Sequence, residues 1–372
     1  MRKQVRKSLT KMLGTNEVCG NKYRRLEVLV YLISGILSQS SCRLNDLAKM
    51  NPKSIDQASK EKQLSRWLQS DYNNHESHYL PFIVPLLSSL AEAGELIFSI
   101  DGSSVGQGCM VLMLSVIYKK RAIPVVWHVV KAKKGHLPEQ MHRDLLQELV
   151  PLIPEGCEVS ILGDGEYDGC GWQADIGSLG WNYVLRTGSA RIIETELGEE
   201  VKIATMAPAI GESFFMLYGV RFTQKKFGPV NLLIWHGKGY KDPIYLLTNL
   251  EFPPRIEQLY KKRFLIETFF SDQKSRGFNL QRSHLKHPQR IKKLIIAAAL
   301  AYILCLFAGI KSLKSKFYQR IHRKDRCDLS LFTIGKRFIE YLVDIRQWRA
   351  FSLNLKYLQI YQPLTNNYKS VR

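Results

Sequence analysis

The pattern of apolar and polar positions divides the chain into a helical beginning, a strand-rich middle and a helical end. Within residues 1–90, apolar side chains recur at helical spacing in three segments: 26–37, 54–69 and 75–90. At Gly94 the spacing changes, and short apolar runs separated by tight turns follow. The pattern predicts a helical region over residues 1–92 and an α/β domain after it.

The apolar runs between residues 95 and 185 predict five strands. Three consecutive strands joined by short turns predict an antiparallel meander: 95–101, 110–118 and 122–130. Two amphipathic helices then alternate with two more strands, in the order 138–150, 159–164, 167–179 and 181–185. This succession of strands and helices is typical of an α/β domain.

Beyond residue 187 the pattern changes twice more. Glycines punctuate short β-prone runs about every ten residues, which predicts a β-rich insertion over about 187–254. Helices are then predicted over 255–276 and 288–313. The second contains an uncharged stretch, 294–310, at the short limit for a membrane span. We expect a buried core helix there and no membrane association.

The distribution of charge adds a class of partner. The 372 residues carry 54 Lys and Arg against 33 Asp and Glu, a formal net charge of +21. The net charge is +7 over residues 1–90, −4 over residues 91–254 and +18 over residues 255–372. Basic flanks suit a polyanion, because neutralising its phosphates releases counterions. The charge pattern favours a nucleic acid, and a basic protein without one is the alternative.

Cysteine usage points to a reducing compartment. The seven cysteines are scattered, with no CxxC and no paired spacing, which indicates free thiols in a cytosol rather than disulfides. No cluster of Cys and His has the spacing of a zinc site.

Candidate chemistry begins with two acids that follow apolar strands. Asp101 ends the run ELIFSID, and Asp164 ends the run VSILGD. An acid in this position faces solvent, a partner or a metal, because a buried unpaired carboxylate is costly. Each of the two is a weak signal by itself.

The segment 260–274, YKKRFLIETFFSDQK, is more specific. Tyr260, Arg263, Glu267 and Lys274 have helical offsets of 0, 3, 7 and 14, which predicts that all four project from one face of one helix. The alternative is a surface helix on which Arg263 and Glu267 form an i, i+4 ion pair.

In these motifs the chain resembles insertion-sequence transposases of the IS-four type, which belong to the DDE class together with the Tn-five transposase. The family signature YxxRxxxExxxxxxK is matched at all four positions of 260–274. The segments IDGSS and ILGDGEYD resemble those that hold the family's first and second aspartates, here Asp101 and Asp164. The resemblance covers roughly residues 95–310. It implies a ribonuclease H-like mixed sheet with a β-rich insertion between the second Asp and the Glu.

The resemblance also implies a mechanism and partners. Asp101, Asp164 and Glu267 would bind two Mg²⁺ ions, for which Mn²⁺ could substitute, because hard cations prefer carboxylate oxygens. Tyr260, Arg263 and Lys274 would grip DNA phosphates near the scissile bond. The partners would be double-stranded DNA, both as terminal inverted repeats and as target, and a second copy of the chain in a homodimer.

Many family members excise DNA through a hairpin and flip a base. A Trp of the β-rich insertion stacks on that base in the Tn-five relative. The run DPIYLLTN places Ile244 at this position, so the aromatic candidates for DNA contact are the adjacent Tyr245 and the nearby Trp235.

Alternatives stay open for the second acid and for the function. Glu166 and Asp168 are rival ligands, and Asp164 is preferred because it directly ends its strand. The expected function is cut-and-paste transposition in a bacterial cytoplasm, on the nucleoid. The alternatives are a two-metal nuclease of the same fold that does not join strands, and a transposase-derived DNA-binding protein without catalysis. Three regions are expected: DNA-binding 1–92, catalytic 93–312 and basic helical 313–372.

Overall fold

One mixed sheet organises the molecule. The computed structural model describes residues 1–12, 19–132, 137–211, 214–238, 240–323 and 328–345. Within these residues ten strands form a sheet in the order β3-β2-β1-β4-β5-β10-β9-β8-β6-β7. The strands are β1 (Glu95–Val105), β2 (Cys109–Tyr118), β3 (Arg121–Lys131), β4 (Glu158–Gly163), β5 (Asn182–Thr187), β6 (Ile192–Glu194), β7 (Glu200–Lys202), β8 (Phe215–Phe222), β9 (Phe227–Trp235) and β10 (Ile244–Thr248).

Helices precede, connect and follow these strands. The helices of the described residues are α1 (Arg2–Met12), α2 (Gly20–Gln39), α3 (Leu44–Ala48), α4 (Gln57–Gln69), α5 (His75–His78), α6 (Leu80–Ala91), α7 (Glu139–Leu149), α8 (Cys170–Ser178), α9 (Pro253–Arg263), α10 (Leu265–Gln273), α11 (Pro288–Leu313), α12 (Tyr318–Ile321) and α13 (Leu331–Asp344).

The first five strands have the order of a ribonuclease H-like sheet. β1, β2 and β3 form an antiparallel meander, and β4 and β5 lie parallel to β1 on its other side. Nearly every residue of β2 and β3 is buried, which explains their almost continuous apolar sequences. The predicted fold class is confirmed.

The β-rich insertion continues the same sheet instead of forming its own. β10 returns antiparallel to β5, with Thr248 opposite Val184, and β9, β8, β6 and β7 follow outward. The insertion therefore covers what would be the open edge of β5. It also places its first residues beside the loop that follows β4.

The long helix α11 lies at the centre of the helical layer. It is the one helix of the described residues that is long and apolar enough to cross a membrane, and its apolar stretch is entirely buried in the protein. It packs against α13, α2 and β3. The predicted core helix is therefore confirmed.

The N-terminal helices are docked on the start of α11 and the segment before it by polar contacts as well as by apolar packing. Asn279 donates to the carbonyl of Ser40 (3.1 Å), Arg290 to the hydroxyl of Ser65 (2.8 Å) and Lys293 to the carbonyl of Ser70 (2.8 Å). The three donors precede or begin α11, and the acceptors follow α2, lie in α4 or follow α4. Helices α12 and α13 lie in the predicted C-terminal region, of which 324–327 and 346–372 are outside the described residues.

Two predicted boundaries are wrong. β1 runs four residues beyond Asp101, because Gly102 to Val105 pair with β2. The single helix predicted over 255–276 is two helices, α9 and α10, which meet at Phe264. Both differences affect the candidate site.

Candidate active site

Asp101 and Asp164 lie side by side on neighbouring parallel strands. Ser99 of β1 is in register with Leu162 of β4, and each aspartate lies two residues further along its chain. Because side chains alternate between the faces of a strand, both carboxylates project from the same face at the same level. Asp101 accepts a hydrogen bond from the amide of Gly102 (2.7 Å), and Asp164 accepts one from the amide of Glu166 (3.0 Å).

Helices α9 and α10 bring Arg263 and Glu267 to these carboxylates. The buried hydroxyl of Ser99 donates to the carbonyl oxygen of Arg263 (3.1 Å), which fixes the end of α9 against β1. The Arg263 guanidinium is buried and lies 2.9 Å from Glu267, 3.8 Å from Asp101 and 4.0 Å from Asp164. The three acids singled out in the sequence therefore surround one cation.

This cluster carries more negative than positive charge. Burial raises the pKa of Asp101 to about 7, with the neighbouring Asp164 carboxylate as the next cause, and the Arg263 guanidinium opposes the rise. Asp101 is the most shielded of the three acids, with 16 % of its side chain exposed against 37 % for Asp164 and 54 % for Glu267. The cluster would hold its full negative charge more easily with a further cation.

Lys274 reaches the site from outside the helix. It is the residue after α10 and has a non-helical backbone conformation, so the prediction that all four signature residues project from one helix face is wrong. Its ammonium group donates to the hydroxyl of Ser103 (2.7 Å), two residues beyond Asp101 on β1. Burial lowers the pKa of Lys274, and the Asp101 carboxylate opposes that shift.

Tyr260 and Arg186 complete one wall of the site. Tyr260 on α9 is almost fully buried, and its ring meets Phe264 edge-on at 6.0 Å. Burial raises the pKa of its hydroxyl, and the guanidinium groups of Arg263 and Arg186 oppose this rise. Sequence reasoning missed Arg186. The signal that could have identified Arg186 is its position. It is a basic residue near the end of β5, and β5 lies beside β4, the strand that leads to Asp164.

The two rival acids have other partners. Glu166 accepts a hydrogen bond from the amide of Leu137 (2.8 Å). Asp168 accepts from the hydroxyl of Thr187 (2.7 Å) and twice from the Arg191 guanidinium, at 3.0 and 3.1 Å. Asp164 lies 4.0 Å from the Arg263 guanidinium, and its assignment as the second acid of the site stays a prediction.

An open cleft of about 1100 Å³ lies between Asp164 and the start of the insertion. Asp164, Arg186, Arg191, Tyr245 and Arg263 line it. Tyr245 is largely buried, so that only a small part of its ring faces the cleft. These residues give the cleft a mixed lining, with three guanidinium groups near the carboxylates.

The two aromatic candidates lie on opposite faces of the insertion. Trp235 is the cross-strand partner of Ile244, so that both side chains project from one face, while Tyr245 projects from the other. The Trp235 ring is buried, with the Lys261 ammonium 5.1 Å and the Tyr240 ring 5.0 Å away. Contact of Trp235 or Tyr245 with DNA stays a prediction.

The chemistry of the donor set fits a hard divalent cation. Three carboxylates converge on one buried guanidinium, and oxygen ligands of this kind are those that Mg²⁺ prefers. In the described part of the chain, no group of three or more Asp, Glu, His or Cys side chains is placed to hold a metal ion.

A known family matches more than half of the chain. Residues 90–304 match the model of the family described as "Transposase DDE domain". A solved structure similar to the chain is the cryo-EM structure of the piggyBac transposase synaptic complex with hairpin DNA. It is 11 % identical in sequence, has a TM-score of 0.44, and the match covers 98 % of this chain and 84 % of that one. The comparison with curated proteins gave no match.

Proposed function

The chain belongs to the transposase DDE-domain family, and from this membership we propose that it catalyses cut-and-paste transposition of an insertion sequence. The observation that carries the proposal is the convergence of Asp101, Asp164 and Glu267 on one guanidinium. A purely structural ion pair needs one carboxylate for each guanidinium, whereas this site has three.

The side chains around the acids are suited to holding a DNA strand. The Arg263 guanidinium is a planar group that can bind a phosphate through two hydrogen bonds. Lys274 donates to Ser103 and would place a second cation beside the first acid. Arg186, across the cleft, adds a third cation on the side of the insertion. These three residues would orient the scissile phosphate toward Asp101 and Asp164.

The acids would hold two Mg²⁺ ions, and Mn²⁺ could substitute. The chemistry that such ions supply when bound is activation of a water or 3′-hydroxyl nucleophile and stabilisation of the leaving oxygen. In cleavage, water attacks phosphorus and the bond to the 3′ oxygen breaks, which leaves a 3′-hydroxyl and a 5′-phosphate. In joining, that 3′-hydroxyl attacks a phosphodiester of the target and displaces its 3′ oxygen.

The proposed partners are those that the family resemblance implies. They are double-stranded DNA, first as terminal inverted repeats and then as target, and the net charge of +21 suits such a polyanion. We place the protein in the bacterial cytoplasm on the nucleoid, where it would act as a homodimer on two element ends.

The test uses a plasmid that carries the reading frame with its flanking DNA, purified protein and Mg²⁺. We expect excision at the flanks and joining of the released ends to a second plasmid. Asp101→Asn, Asp164→Asn and Glu267→Gln should each reduce cleavage at least about a hundredfold, about 2.7 kcal/mol, while DNA binding survives. Glu166→Gln and Asp168→Asn are matched controls from the same loop.

Two results would overturn the proposal. Cleavage within a factor of ten of the unchanged protein in any of the three variants would remove that acid from the site. Mg²⁺-dependent nicking without any joining of pre-cut ends would favour a nuclease of the same fold.

A further inference from the structure

A groove between the N-terminal helices and the segment that leads into α11 has the features of a phosphate site. It measures about 380 Å³ and is bordered by Arg43, Asn45, Glu61, Ser65, His284 and Arg290. We propose that this groove binds a backbone phosphate of the DNA whose cleavage is proposed above, a few base pairs from the scissile bond. The inference rests on the proposed function for the identity of the ligand.

Arg290 supplies a cation that the described residues do not neutralise. One terminal nitrogen of its guanidinium donates to the hydroxyl of Ser65 (2.8 Å), and no carboxylate of the described residues lies within ion-pair distance. Its Nε is buried and has no hydrogen-bond partner in the described part of the chain. A buried donor without an acceptor is unfavourable, and an anion in the groove would supply the missing acceptor.

Arg43 supplies a second cation at the border of the groove. It precedes α3, its side chain is exposed, and no hydrogen bond or ion pair of its guanidinium is found among the described residues. The groove also contains one acid, Glu61, which accepts a weak hydrogen bond from Asn45 (3.4 Å). Two guanidinium groups against one carboxylate leave a net positive charge, which favours an anion.

The groove lies on the same end of the sheet as the catalytic acids. The amide of Gln107, in the turn between β1 and β2, donates to the carbonyl of Leu285 beside the groove (2.9 Å). A strand advances about 3.3 Å per residue, so the five residues from Asp101 to Gly106 span roughly 16 Å. At about 3.4 Å per base pair, a duplex that leaves the acids along β1 reaches the groove after about five base pairs.

The experiment measures binding of a random 30-base-pair duplex over a series of NaCl concentrations, with EDTA present so that no cleavage occurs. Each phosphate contact contributes about 0.9 to the slope of log K against log salt. Because the groove is proposed to hold one phosphate, we expect the double variant to lower the slope by about 0.9, and Arg43→Gln and Arg290→Gln each to lower it by part of that amount. Glu61→Gln should strengthen binding, because it removes the opposing charge.

The control is Lys202→Gln, which makes the same change of charge on β7 at the far edge of the sheet. Slopes unchanged in both arginine variants, or lowered equally in Lys202→Gln, would overturn the proposal. Arg43→Gln decides the matter if Arg290→Gln unfolds, because the Arg43 side chain is exposed and makes no hydrogen bond or ion pair among the described residues. Absence of all DNA binding by the unchanged protein would contradict the proposed function instead, so the two failures are distinguishable.

Discussion

Two clusters of arginine and carboxylate lie along α10, and they differ in their balance of charge. At one, Arg263 faces three acids, Asp101, Asp164 and Glu267, beside an open cleft. At the other, Arg121 of β3 meets Asp272 of α10 at 3.1 Å, and each side chain is 8 % exposed. The first, the open cluster, has more negative than positive charges and is accessible from the cleft. The second, the closed pair, has one charge of each sign and is buried.

The causes of the two raised pKa values show the same difference. Burial raises the pKa of Asp272 to about 6, and the next influences are the guanidinium groups of Arg121 and Arg276, which oppose the rise. Burial also raises the pKa of Asp101 to about 7, but there the next influence is the carboxylate of Asp164, which adds to the rise. A raised pKa by itself therefore does not identify a functional acid. The sign of the charges nearest to it separates a structural ion pair from a site that has more carboxylates than cations.

The largest effect on stability is expected from breaking the closed pair. Arg121→Met leaves the Asp272 carboxylate buried without its partner, which should lower the free energy of unfolding by about 3–5 kcal/mol. The double variant Arg121→Met with Asp272→Leu removes both charges and should recover most of that stability, because an apolar pair of similar size can replace a buried ion pair. Urea unfolding measures both.

The same double variant tests whether the Arg121–Asp272 pair has any role in cleavage. It should retain DNA cleavage within a few-fold of the unchanged protein, because the closed pair holds α10 in place and does not reach the cleft. Strongly reduced cleavage by a stable double variant would show that the Arg121–Asp272 pair has a role in the chemistry. If Arg121→Met is as stable as the unchanged protein, the Arg121–Asp272 pair does not contribute the expected amount to the free energy of unfolding.

A smaller effect, on the reaction rate, is expected at the open cluster. Arg263→Ala removes the guanidinium at the centre of the three acids, and a hydrogen bond to a charged group contributes about 1.5–3 kcal/mol. If the guanidinium binds the scissile phosphate, single-turnover cleavage should fall about tenfold to a hundredfold. Lys261→Ala is the matched control, because Lys261 is exposed on the same helix and pairs with Glu257. If folded Arg263→Ala cleaves DNA as fast as the unchanged protein, the match of residues 260–274 to the family signature is a coincidence.

The sequence predicts most of the sheet because the strands and turns are local features. The residue at which β1 ends cannot be predicted from local sequence. Ser103 and Ser104 are poor strand formers, and they are held in β1 by pairing with Val111 and Met110 of β2. Asp164 follows its strand as predicted, whereas Asp101 lies within its own.

The interruption between α9 and α10 has a tertiary cause. The Ser99 hydroxyl, 164 residues earlier in the chain, donates to the carbonyl of Arg263, and the amide of Glu267 then donates to Phe264 instead. No Gly or Pro marks this point, so periodicity predicts one continuous helix. Lys274 leaves the helix to contact Ser103, another long-range contact that the sequence pattern does not contain.

The next effect in size is a dependence of stability on pH. The pKa of Asp101 in the folded protein is about 7, above the usual 3.8, so folding takes up protons between these values and stability falls as pH rises through this range. Asp101→Asn removes this cost, and in EDTA its melting temperature should exceed that of the unchanged protein at about pH 8 but not near pH 4.

Asp46 provides a control of opposite sign. Hydrogen bonds from Lys49 and Ser41 lower its pKa, so its stabilising effect is present at neutral pH and disappears as pH falls. Asp46→Asn should therefore lower the melting temperature at about pH 8 and have little effect in acid. A lower melting temperature of Asp101→Asn under the same alkaline conditions would mean that the carboxylate cluster is stabilising without metal.

The smallest effect is expected from loss of the Tyr260 hydroxyl, because the ring and the hydroxyl of this residue have separate roles. The ring packs in a buried cluster with Leu162, Leu259 and Trp235, so Tyr260→Ala should cost about 3–5 kcal/mol of stability. Tyr260→Phe keeps that packing and removes a hydroxyl that lies toward Arg263 and Arg186. A neutral hydrogen bond contributes about 0.5–1.5 kcal/mol, which is less than the contribution of a charged hydrogen bond at Arg263. Cleavage by Tyr260→Phe should therefore fall less than about tenfold, and the free energy of unfolding should change by about 1 kcal/mol or less. A reduction of cleavage as large as that of Arg263→Ala would place the Tyr260 hydroxyl, rather than the guanidinium alone, in contact with the reacting phosphate.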